Sequence, residues 1–287
     1  MNPSVRAFFD EATNTVTYVV SDPGSKTCAI IDPVLDFDQA SGRTSTNSAD
    51  QVLDFIHGNG LELAWILETH AHADHLSAAA YLKSKSGGKT ATGKLITGVQ
   101  ATFKEVFNLG DEFSPDGKQF DCLLEDGDQL ELGALEIKVM HTPGHTPSCV
   151  TFVVGDAAFV GDTLFMPDYG TARTDFPGGD AAVLYQSIHR IFALPDQTRI
   201  FLCHDYKAPG RDKYLWESTV EEQRASNIHI HDGISEQEFT AFRNQRDSQL
   251  GVPKLILPSI QVNIRAGEMP PPDDSGAVFL KIPVNVL

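Results

Sequence analysis

The sequence is short of positive charge: 22 Lys and Arg stand against 39 Asp and Glu in 287 residues, a formal net charge of −17. Nucleic-acid binding needs clustered Lys and Arg to neutralise phosphates, so this balance argues against such a partner and against docking on an anionic membrane. Long apolar runs are missing as well, and none approaches the roughly 20 residues that cross a bilayer as a helix. Met1 to Val20 carries neither a basic-then-apolar leader nor an Arg-rich amphipathic one, which gives the expectation of a cytoplasmic protein. The few cysteines, Cys28, Cys122, Cys149 and Cys203, form no CxxC pair and read as reduced, mostly buried thiols rather than a disulfide framework. Cys203 precedes a His-Asp pair, which offers the alternative of a nucleophile, yet its neighbours Ile200, Phe201 and Leu202 favour a strand-core thiol. What is left, 41% hydrophobic and 21% charged, is an ordinary globular composition with enough length for one large domain or two modest ones.

What is present is a dense cluster, Thr69-His70-Ala71-His72-Ala73-Asp74-His75. It follows the apolar run Leu63 to Leu67, read as a buried strand, and precedes Leu76 to Lys83, read as a helix. A strand-to-helix turn lets alternate side chains converge on one point, and neutral imidazole with carboxylate is the usual ligand chemistry for zinc and iron. A solvated turn would use Ser, Asn or Gly instead.

Along the chain, Arg6 to Phe9, Thr15 to Val20 and Thr27 to Ile31 predict three antiparallel strands, the last stopped by Asp32-Pro33. Gln39 to Asn47 reads as a surface loop, and Ser48 opens a helix closed by Gly58 and Gly60. Leu95-Ile96 is a short strand candidate, and Ala101 to Asp121 holds a helical turn or two and then a loop. Cys149 to Val154 and Ala157 to Val160 predict a hairpin, Ala181 to Phe192 an amphipathic helix, and Arg199 to Cys203 a buried strand. Glu217 to Asn227 and Ser235 to Arg246 are polar helices, followed by a Pro-rich end. The strand-rich halves, each adding helices late, suggest an α+β protein of two sheets packed face to face with helices outside. Residues 1–205 are expected to form the catalytic core, and 206–287 to be helices and a tail packed on it within one structural domain.

Three further segments place polar residues at strand exits: His141-Thr142-Pro143-Gly144-His145, Gly161-Asp162-Thr163 and Cys203-His204-Asp205. One such residue alone is usually structural. Together with the histidine cluster they point to one rim of the sandwich as a metal site.

With those residues in view the sequence resembles the metallo-β-lactamase superfamily: His70, His72, Asp74, His75, then His145, Asp162 and His204 occur in order. The resemblance implies a four-layer αββα sandwich with the metal site on one edge. A two-metal member would use His70, His72 and His145 for one ion and Asp74, His75 and His204 for the other, with Asp162 between. A narrower resemblance, carried by Glu68 to His75, His141 to Thr146, Arg173-Thr174-Asp175-Phe176, His204-Asp205-Tyr206, Val220 to Arg224 and the tail from Gly251 to Pro271, is to persulfide dioxygenases.

That resemblance implies one Fe(II) per chain on His70, His145 and Asp162, with His72, Asp74, His75 and His204 behind them or serving a second metal. It implies oxidation of the sulfane sulfur of glutathione persulfide by O2 to give sulfite and glutathione, as in hydrogen sulfide oxidation. Two imidazoles and a carboxylate on one face leave up to three positions open, and activating O2 requires a redox-active metal, which zinc is not. Arg173 and Tyr206 are the candidate substrate contacts, with Lys207, Arg211 and Lys213 behind them. The structural alternative for Arg173 is an ion pair with Asp175 or Asp168. Two additional residues between Asp162 and Arg173, relative to animal-type members, and His229 after Arg224 mark departures around the substrate. The rival reading is a glyoxalase II-type dinuclear thioester hydrolase acting on S-lactoylglutathione, although no dedicated glutathione-binding helical domain is evident. A di-iron electron-transfer module would carry Glu at position 72 and a flavin segment. A homodimer is the default expectation for assembly.

Overall fold

The computed structural model describes residues 1–286. Its first sheet pairs Ser4–Asp10, Thr15–Ser21 and Thr27–Ile31 antiparallel, then adds Glu62–Leu67, Lys89–Gly93 and Cys122–Leu124 in parallel. The second sheet runs Gln129–Leu132, Leu135–His141, Val150–Val154, Ala157–Phe159, Arg199–Phe201 and Glu217–Thr219. A small third sheet joins Val34–Asp38, Arg43–Ser45 and Leu76–Ser77.

Alternation along the strands decides what packs where, because successive side chains leave a strand on opposite faces. Tyr18, Val20 and Ile31 of the first sheet meet Ile137, Phe152, Phe159 and Phe201 of the second in the central layer. Their neighbours Val19 and Ile30 face outward onto helices Asn47–Gly58 and Ala79–Ser86. On the opposite side Ala158, Ile200 and Leu202 face outward onto helix Ala181–Phe192 and onto Phe239 of helix Glu236–Asp247. Helix, sheet, sheet, helix is therefore the layer order, as the sequence resemblance implied.

Several local expectations change. The residues after His75 first make the two-residue strand Leu76–Ser77, paired with Val34 and Leu35, and the helix begins only at Ala79. Ile96 opens a helix, Ile96–Val106, rather than sitting in a strand; its buried Ile96, Val99 and Phe103 recur at helical spacing. Within the stretch read as a loop, Arg43–Ser45 pairs with Asp36 to Asp38. The tail contains helix Ile256–Asn263, whose residues from Pro258 to Asn263 are all buried despite a proline inside the helix. No helix of the described residues is long and apolar enough to cross a membrane.

Candidate metal centre

Each side chain of the site leaves the end of a strand, and the local sequence explains how each is held. Beyond strand Glu62–Leu67 the backbone stays in register for one more residue, with Glu68 N donating to Ala91 O at 3.0 Å. The turn that follows is fastened by Asp32, whose carboxylate accepts from Thr69 N (2.7 Å) and Thr69 Oγ1 (2.9 Å). The Thr69 hydroxyl has one proton, spent on Asp32, so at its 3.0 Å contact with His70 Nδ1 the ring must donate. That leaves His70 Nε2 as the lone-pair nitrogen. Burial, then the neighbouring His72 and His145, push the His70 pKa well below the usual value and keep it neutral.

His145 is oriented by the same logic. Its Nδ1 lies 2.7 Å from the carbonyl oxygen of Arg173, an acceptor only, so Nδ1 carries the proton and Nε2 is bare. The residue before it, Gly144, adopts φ +135°, and a Cβ there would collide with the backbone of Leu184 in the helix packed against this turn. Asp162 follows Gly161, at φ +52°, where a Cβ would run into the Thr69 side chain. Here the second sheet's exit loop presses against the first sheet's histidine turn, which brings Asp162 Oδ2 to 3.9 Å from His70 Nε2 and 3.7 Å from His145 Nε2.

The remaining predicted residues gather beside this trio. His70, His145 and Asp162 form one group of potential ligand atoms within 4.8 Å of one another, and His72, Asp74, His75 and His204 form another. His72 is turned so that Nε2 meets Asp32 Oδ1 at 3.0 Å and Glu68 Oε2 at 3.4 Å, leaving Nδ1 without a partner. Burial alone would lower the His72 pKa, but these two carboxylates outweigh it and raise the pKa well above the usual value. His204 Nε2 stands 3.0 Å from Asp74 Oδ2 and 3.3 Å from Asp162 Oδ1. Burial opposes charge on His204 too, yet Asp162 and Asp74 raise its pKa to about 9.

The donor set fits a metal ion. His70 Nε2, His72 Nδ1 and His75 Nε2 are buried without a hydrogen-bond partner, and His204 Nε2, Asp74 Oδ2 and Asp162 Oδ1 have only one another, at ion-pair distance without hydrogen-bond geometry. Buried polar atoms are rarely left that way, and a convergent set of bare nitrogens and carboxylate oxygens is what a cation satisfies.

A cavity of about 570 Å³ opens over Asp74, His145 and Asp162. Arg173 and Tyr206 line it as expected. Arg173, however, spends its fork on Asp175 (2.5 and 2.6 Å) and on Gly251 O (2.7 Å), the structural pairing set out above as its alternative. Tyr206 stacks on His204, ring centroids 5.7 Å apart, with Phe165 edge-on at 6.0 Å. Arg211 is locked between Asp168 and Asp205, and the Lys207 ammonium lies 4.2 Å from the Tyr214 ring centre.

Sequence reasoning missed several residues. In the sequence Asp32 reads only as part of a strand stop. Asn263 bonds through Nδ2 to the carbonyls of His72 and His75 (2.8 Å each), and its Oδ1 accepts from Ser77 N at 2.8 Å. Arg243 and Asp247 form a fully buried pair at 2.8 Å. Asp247 also accepts from Thr174 N and Oγ1, fixing the segment that offers its carbonyl to His145. No spacing signal marks these partners, because each comes from a distant segment with no periodicity to announce it.

Fold and site together define a sandwich protein with a histidine- and aspartate-built metal centre on one rim. A family model described as the metallo-beta-lactamase superfamily matches residues 11–204, and the chain belongs to that superfamily. It is 53% identical to a probable metallo-hydrolase of Burkholderia pseudomallei, over 99% of this chain and 100% of that one. A beta-lactamase hydrolase-like protein of Agrobacterium fabrum is 55% identical, and there the chain spans only 65% of the relative's length. Dictyostelium discoideum glyoxylase B2 is 47% identical over 99% of this chain and 97% of its own. The bovine mitochondrial persulfide dioxygenase ETHE1 is 34% identical over 93% and 90%. Among solved structures, ETHE1 from Myxococcus xanthus superposes with a TM-score of 0.73 at 28% identity, covering 92% of this chain and 100% of that one.

Proposed function

We propose that the protein is a persulfide dioxygenase: a persulfide, O2 and water yield sulfite and the free thiol, with glutathione persulfide as the substrate and one Fe(II) on His70, His145 and Asp162. The observation that carries this is a difference in character between two sets of polar residues that meet at Asp162. In the trio the bare nitrogens of His70 and His145 face one carboxylate oxygen, Asp162 Oδ2, at 3.9 and 3.7 Å, as a two-histidine, one-carboxylate site requires, while its other oxygen reaches His204 at 3.3 Å. In the other group Asp74 and His204 approach to 3.0 Å, and His72 is drawn back onto Asp32 and Glu68, so charge is already compensated within the protein. Ferrous iron at the trio would supply redox activation of dioxygen, chemistry unavailable to zinc. The relatives and the solved structure named as ETHE1 support the same activity.

The chain's own residues supply the rest. Thr69 and the Arg173 carbonyl hold both imidazoles in the tautomer that offers Nε2. Tyr206, Phe165 and Tyr169 form an aromatic wall that limits water beside Asp162, and the cavity above accepts a small-molecule thiol. Arg173 is retained as a substrate contact only through the wall it shapes, since its donors are engaged.

The second reading, a dinuclear thioester hydrolase, is favoured by the second group of ligands and by the glyoxylase B2 relative. An oxygen-electrode assay on iron-loaded protein decides between them. O2 uptake with glutathione persulfide, none with S-lactoylglutathione, and about one iron per chain are expected; hydrolysis of S-lactoylglutathione by protein holding two metals would reverse the assignment.

A further inference from the structure

Four cations line the cavity: Arg173, Arg243, Arg246 and Lys254. Arg173 is consumed by Asp175 and Gly251 O, and Arg243 by Asp247 and the Thr171 carbonyl. Arg246 and Lys254 are exposed and have no ion-pair partner among the described residues. Unpaired cations are not rare in this chain: Lys83, Lys94, Arg190 and Arg224 find carboxylates, whereas Lys26 and Lys138 have none among the described residues, so it is the shared cavity that singles out Arg246 and Lys254. Two that face a cavity and lack one are positioned for an anion that arrives from solution. The backbone that carries Arg246 is firmly placed. Arg246 belongs to helix Glu236–Asp247, which the buried Arg243–Asp247 pair ties to Thr171 and Thr174 on the same cavity wall. The cavity's acids, Asp74 and Asp162, belong to the metal centre, so one cavity joins a metal-ligand end to cationic side chains.

We propose that Arg246 and Lys254 form an anion subsite that grips a carboxylate of the thiol carrier, while the carrier's sulfur end lies toward the trio of ligands. The inference rests on the persulfide reading for the identity of the reacting group, and it sets the substrate class as a small carboxylate-bearing thiol. A guanidinium can hold a carboxylate with two parallel bonds, and an ammonium adds a point charge, so together they select charge as well as size.

The test uses iron-loaded Arg246→Ala, Lys254→Ala and the double variant with glutathione persulfide and with 2-hydroxyethyl persulfide, which has no carboxylate. Calorimetric titration with glutathione itself provides a readout independent of turnover. For each single variant KM for glutathione persulfide is expected to rise about tenfold with kcat nearly unchanged, the size of one lost charge-assisted hydrogen bond. KM for the neutral persulfide should stay at the wild-type value, glutathione affinity should fall in parallel, and Arg246→Lys should recover much of the loss. Unaltered KM and glutathione affinity in the double variant would overturn the subsite, and so would an equal loss with both persulfides. If wild-type protein consumes neither persulfide, the proposed activity fails, and the glutathione titration alone still decides whether these two cations bind the carrier.

Discussion

The Nδ1 of His145 donates to the carbonyl of Arg173 at 2.7 Å, and the residue that holds this carbonyl's segment is Asp247, through Thr174 N at 2.8 Å. A histidine whose outer nitrogen is engaged this way is a better-oriented ligand, and loss of such a partner typically weakens metal binding about 10–100-fold. Asp247→Ala should therefore lower iron affinity by about that factor, measured by chelator competition. It also strands the buried Arg243 guanidinium, at a cost of about 3–5 kcal/mol. Asp247→Asn, which keeps an acceptor for Thr174, should restore more of the iron affinity than of the stability seen in urea unfolding.

Removing Asp162 deletes the one carboxylate that faces both bare imidazoles. Asp162→Ala is expected to emerge from gel filtration without iron and to show no persulfide-dependent O2 uptake. Retained iron with undiminished uptake would refute the ligand assignment.

Asn263 makes three hydrogen bonds to the histidine turn. Asn263→Ala leaves two buried carbonyls and one buried N–H without partners, so a loss of about 2–4 kcal/mol is expected in urea unfolding. Because the turn carries His70 and His72, iron content should fall in the same variant, whereas Gln51→Ala, on the exposed face of helix Asn47–Gly58, should change neither.

The pH dependence of stability should show His229. Burial, reinforced by Arg243 and Arg246, lowers its pKa from 6.5 to about 3, so it is neutral in the folded protein, where Nδ1 accepts from Thr171 N at 3.0 Å. The unfolded chain takes up a proton below about 6.5 and the folded one does not. Stability from this group is thus complete above that pH and is lost as pH falls toward 3, by about 1–2 kcal/mol at pH 5. Urea midpoints at pH 7.5 and pH 5.0 should differ less in His229→Asn than in the wild type. An equal drop in both proteins would remove His229 from the account.

Much of the fold and of the centre can be read from the residues alone, because both depend on short-range signals. Period-two alternation marks the strand Leu135–His141, a β-branched and aromatic run marks Thr15–Ser21, and three histidines and an aspartate within six residues mark the rim. What escapes is set by long-range pairing. Arg43–Ser45 is polar and exposed, a strand only because Asp36 to Asp38 lies alongside it. The start of Ile96–Val106 is obscured by Thr97 and Gly98, and its buried face is clear only once its partners are in place. Asp32, Asn263 and the Arg243–Asp247 pair act through contacts 37 to 191 positions away or through a buried ion pair, neither of which has a local signature. Arg173 shows the converse: a motif residue whose donors turn out to be used at home.

The bonds from Asn263 to the carbonyls of His72 and His75 also bear on how the protein is made. A turn fastened by a side chain 188 and 191 positions downstream is left unlatched on the ribosome until that distant helix has emerged. The sheets can form before that helix is made, but the metal-gripping geometry of the turn waits for Asn263, which holds metal loading back until helix Ile256–Asn263 is in place.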